Sequence, residues 1–504
     1  MTRLASLPLI VLLIGIGALA MLIPALHAWV VRDLETARAF LYPSILFLAL
    51  FAMIGIATSN YVIRRQGRSH LISLLAFYTV LPVMLAVPLA EAVPDTRFFN
   101  AYVEMVSSAT TTGFTMFAPE RLPDSVHLWR ALVAWLGGFF VWVTAIAILA
   151  PLNLGGFEVA STEEVGQGAS VGTTAIDRIA DPSERLVRFG AKLFPVYAGL
   201  TAVLWVALIL AGDRPFVAIC HAMSTLSTSG ITPLAGNEQS GAGLGGEMLI
   251  LMFLVFALSR LTFSADDRAD GWVSLSRDPE LKLGLTIIVS LTVLLFLRHW
   301  VSTFEEPLDV SFREGLLGLW GALFTVASFL TTTGFESAGW DSARAWSGLS
   351  SPGVLLMGLA LFGGGVATTA GGVKLLRIFA LYKHGVREME KLVQPSSVGG
   401  AGQAARRFRR QGAYVAWIFF MLFALTIAIV STLLAGFGLN FEEAMIMTVA
   451  SLSTTGPLAS AAGEAPIILA ALNDGAKSVL VMAMILGRLE TLAIIALLNP
   501  EFWR

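Results

Sequence analysis

Four stretches of this sequence read alike: Ala109-Thr-Thr-Thr-Gly-Phe-Thr115, Leu226-Ser-Thr-Ser-Gly-Ile-Thr232, Leu330-Thr-Thr-Thr-Gly-Phe-Glu336 and Leu452-Ser-Thr-Thr-Gly-Pro-Leu458. Their glycines, Gly113, Gly230, Gly334 and Gly456, lie 117, 104 and 122 residues apart. A semi-apolar stretch leads into each, at 98–109, 216–226, 312–330 and 441–452, and longer apolar runs lie on either side. At roughly 11 to 19 residues, several of these stretches are too short to cross a bilayer and read as re-entrant half-helices. One Thr-rich run is ordinary in a membrane protein. Four in register, at the same point of a repeated unit, mark an internal repeat whose loops share a task.

The repeats sit in a chain of 504 residues, 56% hydrophobic and only 13% charged, where soluble domains average about 25% charged. With a mean hydropathy of +0.76, the chain is read as a polytopic membrane protein and not a soluble one. Apolar runs predict ten crossings, near 7–26, 42–63, 71–89, 129–150, 186–210, 248–263, 281–297, 353–381, 415–434 and 476–498. The first run exceeds the roughly 7 to 15 residues of a signal-peptide core and is read as a retained span. A net charge of −2 gives no reason to expect nucleic acid. The single Cys220 excludes an internal disulfide, and the six histidines lack zinc-ligand spacing.

The predicted fold is therefore all-α, with four pseudo-symmetric units of span, half-helix, loop and span around a central pore. The units occupy 64–151, 185–263, 281–382 and 411–504, after an N-terminal two-helix hairpin over 1–63. Charge fixes the orientation. With all four loops outside, the inner connections hold Arg64, Arg65, Arg68, Lys383, Arg387, Lys391, Arg406, Arg407, Arg409 and Arg410. The outer connections offset their arginines with Glu305, Glu306, Asp309, Glu442 and Glu443, as the positive-inside rule requires. Both termini are then cytoplasmic, and 394–402, rich in Gly, Ser and Pro, reads as a linker.

A dehydrated cation needs a ring of oxygens in place of its water, and four loops converging on one axis can supply it through backbone carbonyls. The candidate ring is Thr111, Thr112 and Gly113; Thr228, Ser229 and Gly230; Thr332, Thr333 and Gly334; and Thr454, Thr455 and Gly456. Glycine allows positive φ and leaves the bore open, while hydroxyls add oxygens or brace the loop. The negative ends of the half-helices favour cations. The absence of carboxylates from these positions argues for a monovalent ion, with Glu336 placed to attract cations at the mouth.

Two features lie outside the loops. The ten residues Gly363-Gly-Gly-Val-Ala-Thr-Thr-Ala-Gly-Gly372 interrupt an apolar run, and each glycine costs about 1 kcal/mol against alanine in a helix. Irregular backbone at membrane depth belongs beside a water-filled cavity; tight small-residue helix packing is the other reading. Arg488 lies inside the last apolar run, where a charge is expensive unless it has a function; the bland reading pairs it with Glu490 near the interface.

On these residues the chain resembles the potassium-uptake subunits of the Trk/Ktr/HKT superfamily, specifically the bacterial TrkH type. The resemblance extends to Arg130 with Ala134-Trp-Leu-Gly-Gly138, Ala150-Pro151, Gly155-Gly156, Glu163-Glu164 and Ser276-Arg-Asp-Pro-Glu280. The two spans before the first repeat favour TrkH over the shorter KtrB type. The resemblance implies a potassium channel-like subunit of the bacterial cytoplasmic membrane, without cofactor or enzymatic activity and with potassium as its substrate. It also implies a homodimer controlled by a cytoplasmic nucleotide-binding subunit of the TrkA type. It makes Gly363, Gly364, Gly365, Thr368, Thr369, Gly371 and Gly372 an intramembrane gating loop that Arg488 contacts. Ile231 and Pro457 depart from the pattern, because loops one and three have Phe there. Two other classes fit the sequence less well. A coupled secondary transporter also uses broken helices, but ordinarily as paired inverted halves. A prenyltransferase would read Asp266-Asp267-Arg-Ala-Asp270 as a magnesium-diphosphate site, yet the chain has no second such cluster.

Overall fold

The computed structural model describes residues 7–58, 66–150, 182–234, 240–259, 278–305, 312–349, 351–393 and 410–490. Their regular structure is all helical, because a helix satisfies its backbone hydrogen bonds within one segment, as hydrocarbon demands. Seven of the described helices are long and apolar enough to cross a membrane: Leu9–Val30, Leu34–Thr58, Ile72–Ala92, Asp124–Leu149, Arg185–Leu210, Pro279–His299 and Gly412–Gly436.

The other three expected crossings are altered, and all three are second helices of repeats. The run expected at 248–263 begins earlier, as Gly243–Leu254 followed by the 3-10 turn Val255–Ala257. That expected at 353–381 splits into Gly353–Phe362 and Leu375–Val393. The last is helical over Asp474–Leu489, and 491–504 lies outside the described residues. So do Arg64, Arg65, Asp266, Asp267, Asp270 and the 394–402 linker.

The half-helices fall where the sequence placed them: Phe98–Ala109, Pro215–Ser227, Phe312–Leu330 and Phe441–Leu452. The fourth starts on a capping box, in which Asn440 Oδ1 accepts from the Glu443 amide at 2.8 Å and Glu443 Oε2 from the Asn440 amide at 3.1 Å. Every half-helix packs between the two helices of its own repeat. Each second helix also packs on the half-helix of the next repeat, and Asp474–Leu489 of the fourth returns to Phe98–Ala109 of the first. This pattern closes the four repeats into a ring.

Burial is inverted relative to length. The last residues of the short half-helices are buried, whereas the long outer helices expose apolar side chains such as Ile45, Leu46, Val203, Val206, Leu425 and Ile429. Exposed apolar surface on this scale fits contact with lipid rather than water. The N-terminal hairpin, held by a 2.8 Å bond from Ser44 Oγ to the Ala18 carbonyl, packs against the helices of the first repeat.

Candidate functional site

All four half-helices end in the same backbone device. Thr111, Thr228, Thr332 and Thr454, two residues before each glycine, take φ of +52°, +52°, +58° and +54°. The next amide then reaches back five residues: Thr112 to Ser107 (2.8 Å), Ser229 to Ser224 (3.0 Å), Thr333 to Ser328 (2.9 Å) and Thr455 to Ala450 (2.8 Å). This is a Schellman-type helix end, in which the left-handed position normally falls to glycine. Holding a β-branched residue there costs of order 1–3 kcal/mol, a strain that persists only where surrounding structure imposes it. Its fourfold recurrence marks a built site. The glycines themselves follow the expectation only in part: Gly113, Gly230 and Gly334 have φ of +79°, +66° and +83°, but Gly456 does not take positive φ.

Backbone approach joins the loops in cyclic order. A Cβ on Gly113 would collide with the Ser229 carbonyl oxygen, one on Gly230 with that of Thr333, and one on Gly456 would lie 2.6 Å from that of Thr112. The Gly456 amide donates to this last oxygen at 2.6 Å. Between loops three and four, the Pro457 ring lies where a Cβ on Gly334 would meet it at 2.8 Å. Glycine is required at all four places by this proximity, including Gly456, whose φ alone does not demand it.

The hydroxyls divide into two sets. Those before the glycine and two residues earlier brace each other: Thr110 with Thr112 (2.8 Å), Ser227 with Ser229 (3.1 Å), Thr331 with Thr333 (3.2 Å) and Ser453 with Thr455 (3.1 Å). The left-handed threonines are different. Thr332 Oγ1 accepts from the Gly371 amide at 2.8 Å, and Thr228 Oγ1 donates to the Ser227 carbonyl at 2.8 Å, whereas the buried Thr111 and Thr454 Oγ1 atoms have no partner among the described residues.

Buried polar groups support the limbs leading away from the glycines. Glu104, paired with Arg130, accepts from the Met116 amide at 2.6 Å. His221 Nε2 lies 3.0 Å from Thr232 Oγ1. Glu247, from the second helix of repeat two, accepts from Trp320 Nε1 (2.7 Å), Ser337 Oγ (2.7 Å) and the Ala338 amide (2.8 Å), and so fixes loop three. Glu247 escaped the sequence reading; a lone carboxylate among Gly243-Leu-Gly-Gly-Glu-Met-Leu was its only signal.

The interrupting segment lies under this ring. Across the break, the Val373 and Lys374 amides bond to the Leu361 and Phe362 carbonyls at 2.9 and 3.0 Å, so 363–372 forms an excursion with joined ends. Gly363 and Gly372, at φ +70° and +77°, make the two turns. Gly364 and Gly365 pass so close to the Ala257 and Leu258 carbonyl oxygens that a Cβ would reach 2.5 Å. Thr368 Oγ1 donates back to the Gly365 carbonyl at 2.7 Å.

Above, the segment meets repeats two, three and four directly, and Arg488 links it to repeat one. Arg488 donates from Nε to the Thr110 carbonyl (2.9 Å) and from Nη1 to the Thr369 carbonyl (2.7 Å). Thr369 Oγ1 donates to the Leu226 carbonyl at 3.1 Å, the Gly371 amide meets Thr332, and a Cβ on Gly371 would collide with the Ser453 carbonyl. The Arg488–Glu490 surface pair does not form. Arg488 is buried, and Glu490 instead pairs at 2.6 Å with Arg377, whose guanidinium stacks on Phe419.

Four re-entrant units closed about one axis define a class of helical membrane proteins, and comparison with known proteins identifies the family within it. The family model for TrkH, a cation transport protein, matches residues 37–237 and 272–502, and the chain belongs to this family of transport proteins, which are not enzymes. It is 30% identical over 503 residues to the Trk system potassium uptake protein TrkH of Vibrio parahaemolyticus, covering 98% of each chain. Against the protein of the same name from Salmonella typhimurium the identity is 29% over 491 residues, 96% of each. The crystal structure of the potassium transporter TrkH from Vibrio parahaemolyticus superposes with a TM-score of 0.82 at 27% identity, covering all of both chains.

Proposed function

We propose that this chain takes up potassium across the cytoplasmic membrane as the ion-conducting subunit of a Trk system. The four loops form its selectivity filter, and 363–372 together with Arg488 form its gate. The observation that carries the reading is the closed ring of loops, in which the carbonyl before one glycine faces the next loop at three of four junctions. Family membership and relatives described as potassium uptake proteins support the choice of ion.

A potassium ion leaving water from the outside exchanges its shell for carbonyl oxygens held at fixed spacing. The negative ends of the four half-helices lower its energy there. Below the ring it meets the hydroxyls of Thr111 and Thr454, which have no partner among the described residues, and then the segment that rests on repeats two to four and is tied to repeat one through Arg488. Conduction requires that segment to move. Its joined ends and paired glycine turns suit displacement as a unit, with the Arg488 bond to Thr369 as a latch. Leu375–Val393 follows directly and carries Lys383 and Arg387, so a nucleotide-binding cytoplasmic partner has a direct mechanical route to the gate. In this reading the repeats occupy 64–151, 185–263, 281–382 and 411–504, the subunit dimerises, and both termini are cytoplasmic.

Gly334→Ser tests the filter. A Cβ there would lie 2.8 Å from Pro457, and the positive φ adds strain. The expected result is blocked flux or relaxed ion selection in purified protein that folds normally; unchanged ion ratios would overturn the reading.

A further inference from the structure

Loop four departs from the others in backbone as well as in sequence. After Gly456 the chain turns into a short helix, Leu458–Ala461, with Pro457 at its start (φ −57°, ψ −16°). The Pro457 carbonyl accepts from the Ser460 amide (3.0 Å), the Ala461 amide (3.1 Å) and Ser460 Oγ (2.8 Å). With its own φ locked by the ring, Pro457 is held rigidly.

The ring points across the axis. A Cβ on Gly334 would meet Pro457 Cβ and Cγ at 2.8 Å, as expected of the neighbouring loop. A Cβ on Gly230 would meet Pro457 Cγ at 2.6 Å, although loop two lies opposite loop four in the ring. The residues before each glycine face the interrupting segment, so Pro457, one residue after, lies on the outer side. Here the path is bounded by carbon that offers no lone pair. The Thr112 carbonyl alongside already accepts the Gly456 amide.

We infer that Pro457 is a specificity-determining residue, a rigid apolar ring that narrows the outer end of the filter and turns away monovalent cations larger than rubidium, caesium first among them. The inference rests on the proposal that the four loops are the filter. An ion passing Pro457 must shed water on that side without receiving an oxygen in return, and the fixed ring cannot withdraw for a wider ion.

The test is caesium and potassium flux through purified full-length protein in liposomes, for wild type, Pro457→Ala and Gly334→Ser. Pro457→Ala is expected to raise the caesium-to-potassium flux ratio about tenfold, equivalent to roughly 1.4 kcal/mol of barrier. An unchanged ratio in Pro457→Ala, while Gly334→Ser alters flux, overturns the role of Pro457 and leaves the filter reading intact. If Gly334→Ser changes nothing either, the filter reading falls with it. Pro457→Ser carries the same expectation should the alanine variant fail to fold. Wild-type protein that passes caesium as fast as potassium overturns the inference by itself.

Discussion

Replacing Arg488 by alanine is expected to open the pore without a cytoplasmic partner, and the structure bounds the size of the effect. Arg488 makes two charged hydrogen bonds, to the Thr110 carbonyl at 2.9 Å and the Thr369 carbonyl at 2.7 Å. Only the second holds the interrupting segment. A hydrogen bond to a charged group is worth about 1.5–3 kcal/mol, so its loss shifts the closed-to-open balance roughly tenfold to a hundredfold. A pore open about 1% of the time would then be open between about 10% and about 50%. It would not open fully, because the bonds of Thr369 Oγ1 to Leu226, Gly371 to Thr332 and the Val366 amide to Glu280 remain. Arg488→Lys should fall between, since an ammonium keeps the charge but lacks the planar fork that reaches both carbonyls. Single-channel recording in planar bilayers without partner reads the open fraction, and thermal unfolding of the same preparations checks the fold. An Arg488→Ala protein that unfolds normally yet stays closed, and opens as usual with partner, would remove Arg488 from gating.

Thr111→Val and Thr454→Val should leave thermal stability nearly unchanged while reducing potassium flux, because each removes a buried hydroxyl with no partner among the described residues and leaves the backbone strain as it was. Thr112→Val, by contrast, loses the 2.8 Å bond to Thr110 and should cost about 1 kcal/mol in unfolding measurements. Glu104→Gln leaves Arg130 buried without a counter-charge, since their side chains are 0% and 4% exposed; it is expected to destabilise by about 3–5 kcal/mol, seen as a lowered melting temperature. Deleting 364–371 should raise basal flux at normal surface expression, whereas loss of folded protein would mark the segment as packing only.

The legible parts of this protein are those where one chemical need dictates one residue type. The half-helices were readable because each short apolar stretch ends in hydroxyl residues and a glycine, and Phe98–Ala109 falls as expected. The break at 363–372 was readable because no helix carries five glycines in ten residues without penalty. Other features depended on what the chain meets in space. Thr at the left-handed position of all four helix ends runs against its intrinsic preference, so propensity pointed to the following glycine instead. Glu247 serves a loop 90 residues away, and Glu490 finds Arg377 rather than its near neighbour Arg488. The early start of the helix expected at 248–263 has a simpler cause. Its first turn, Gly243-Leu-Gly-Gly, is too glycine-rich to read as helix, yet a Cβ added at Gly246 would lie 2.6 Å from the Ala242 Cβ, so that turn has room only for glycine. Pro457 was visible as an exception to the repeat, but its reach to loop two follows only from the ring's closure.

The central claim is that four convergent loops conduct potassium passively through one path per subunit. Its most direct test is flux through purified protein in liposomes, driven by voltage alone, with no proton or sodium gradient. Potassium and rubidium should both move down their electrochemical gradients in preference to sodium, and Gly334→Ser should abolish that preference or the flux itself. Transport that requires a proton or sodium gradient, or passage of sodium alone, would contradict the account.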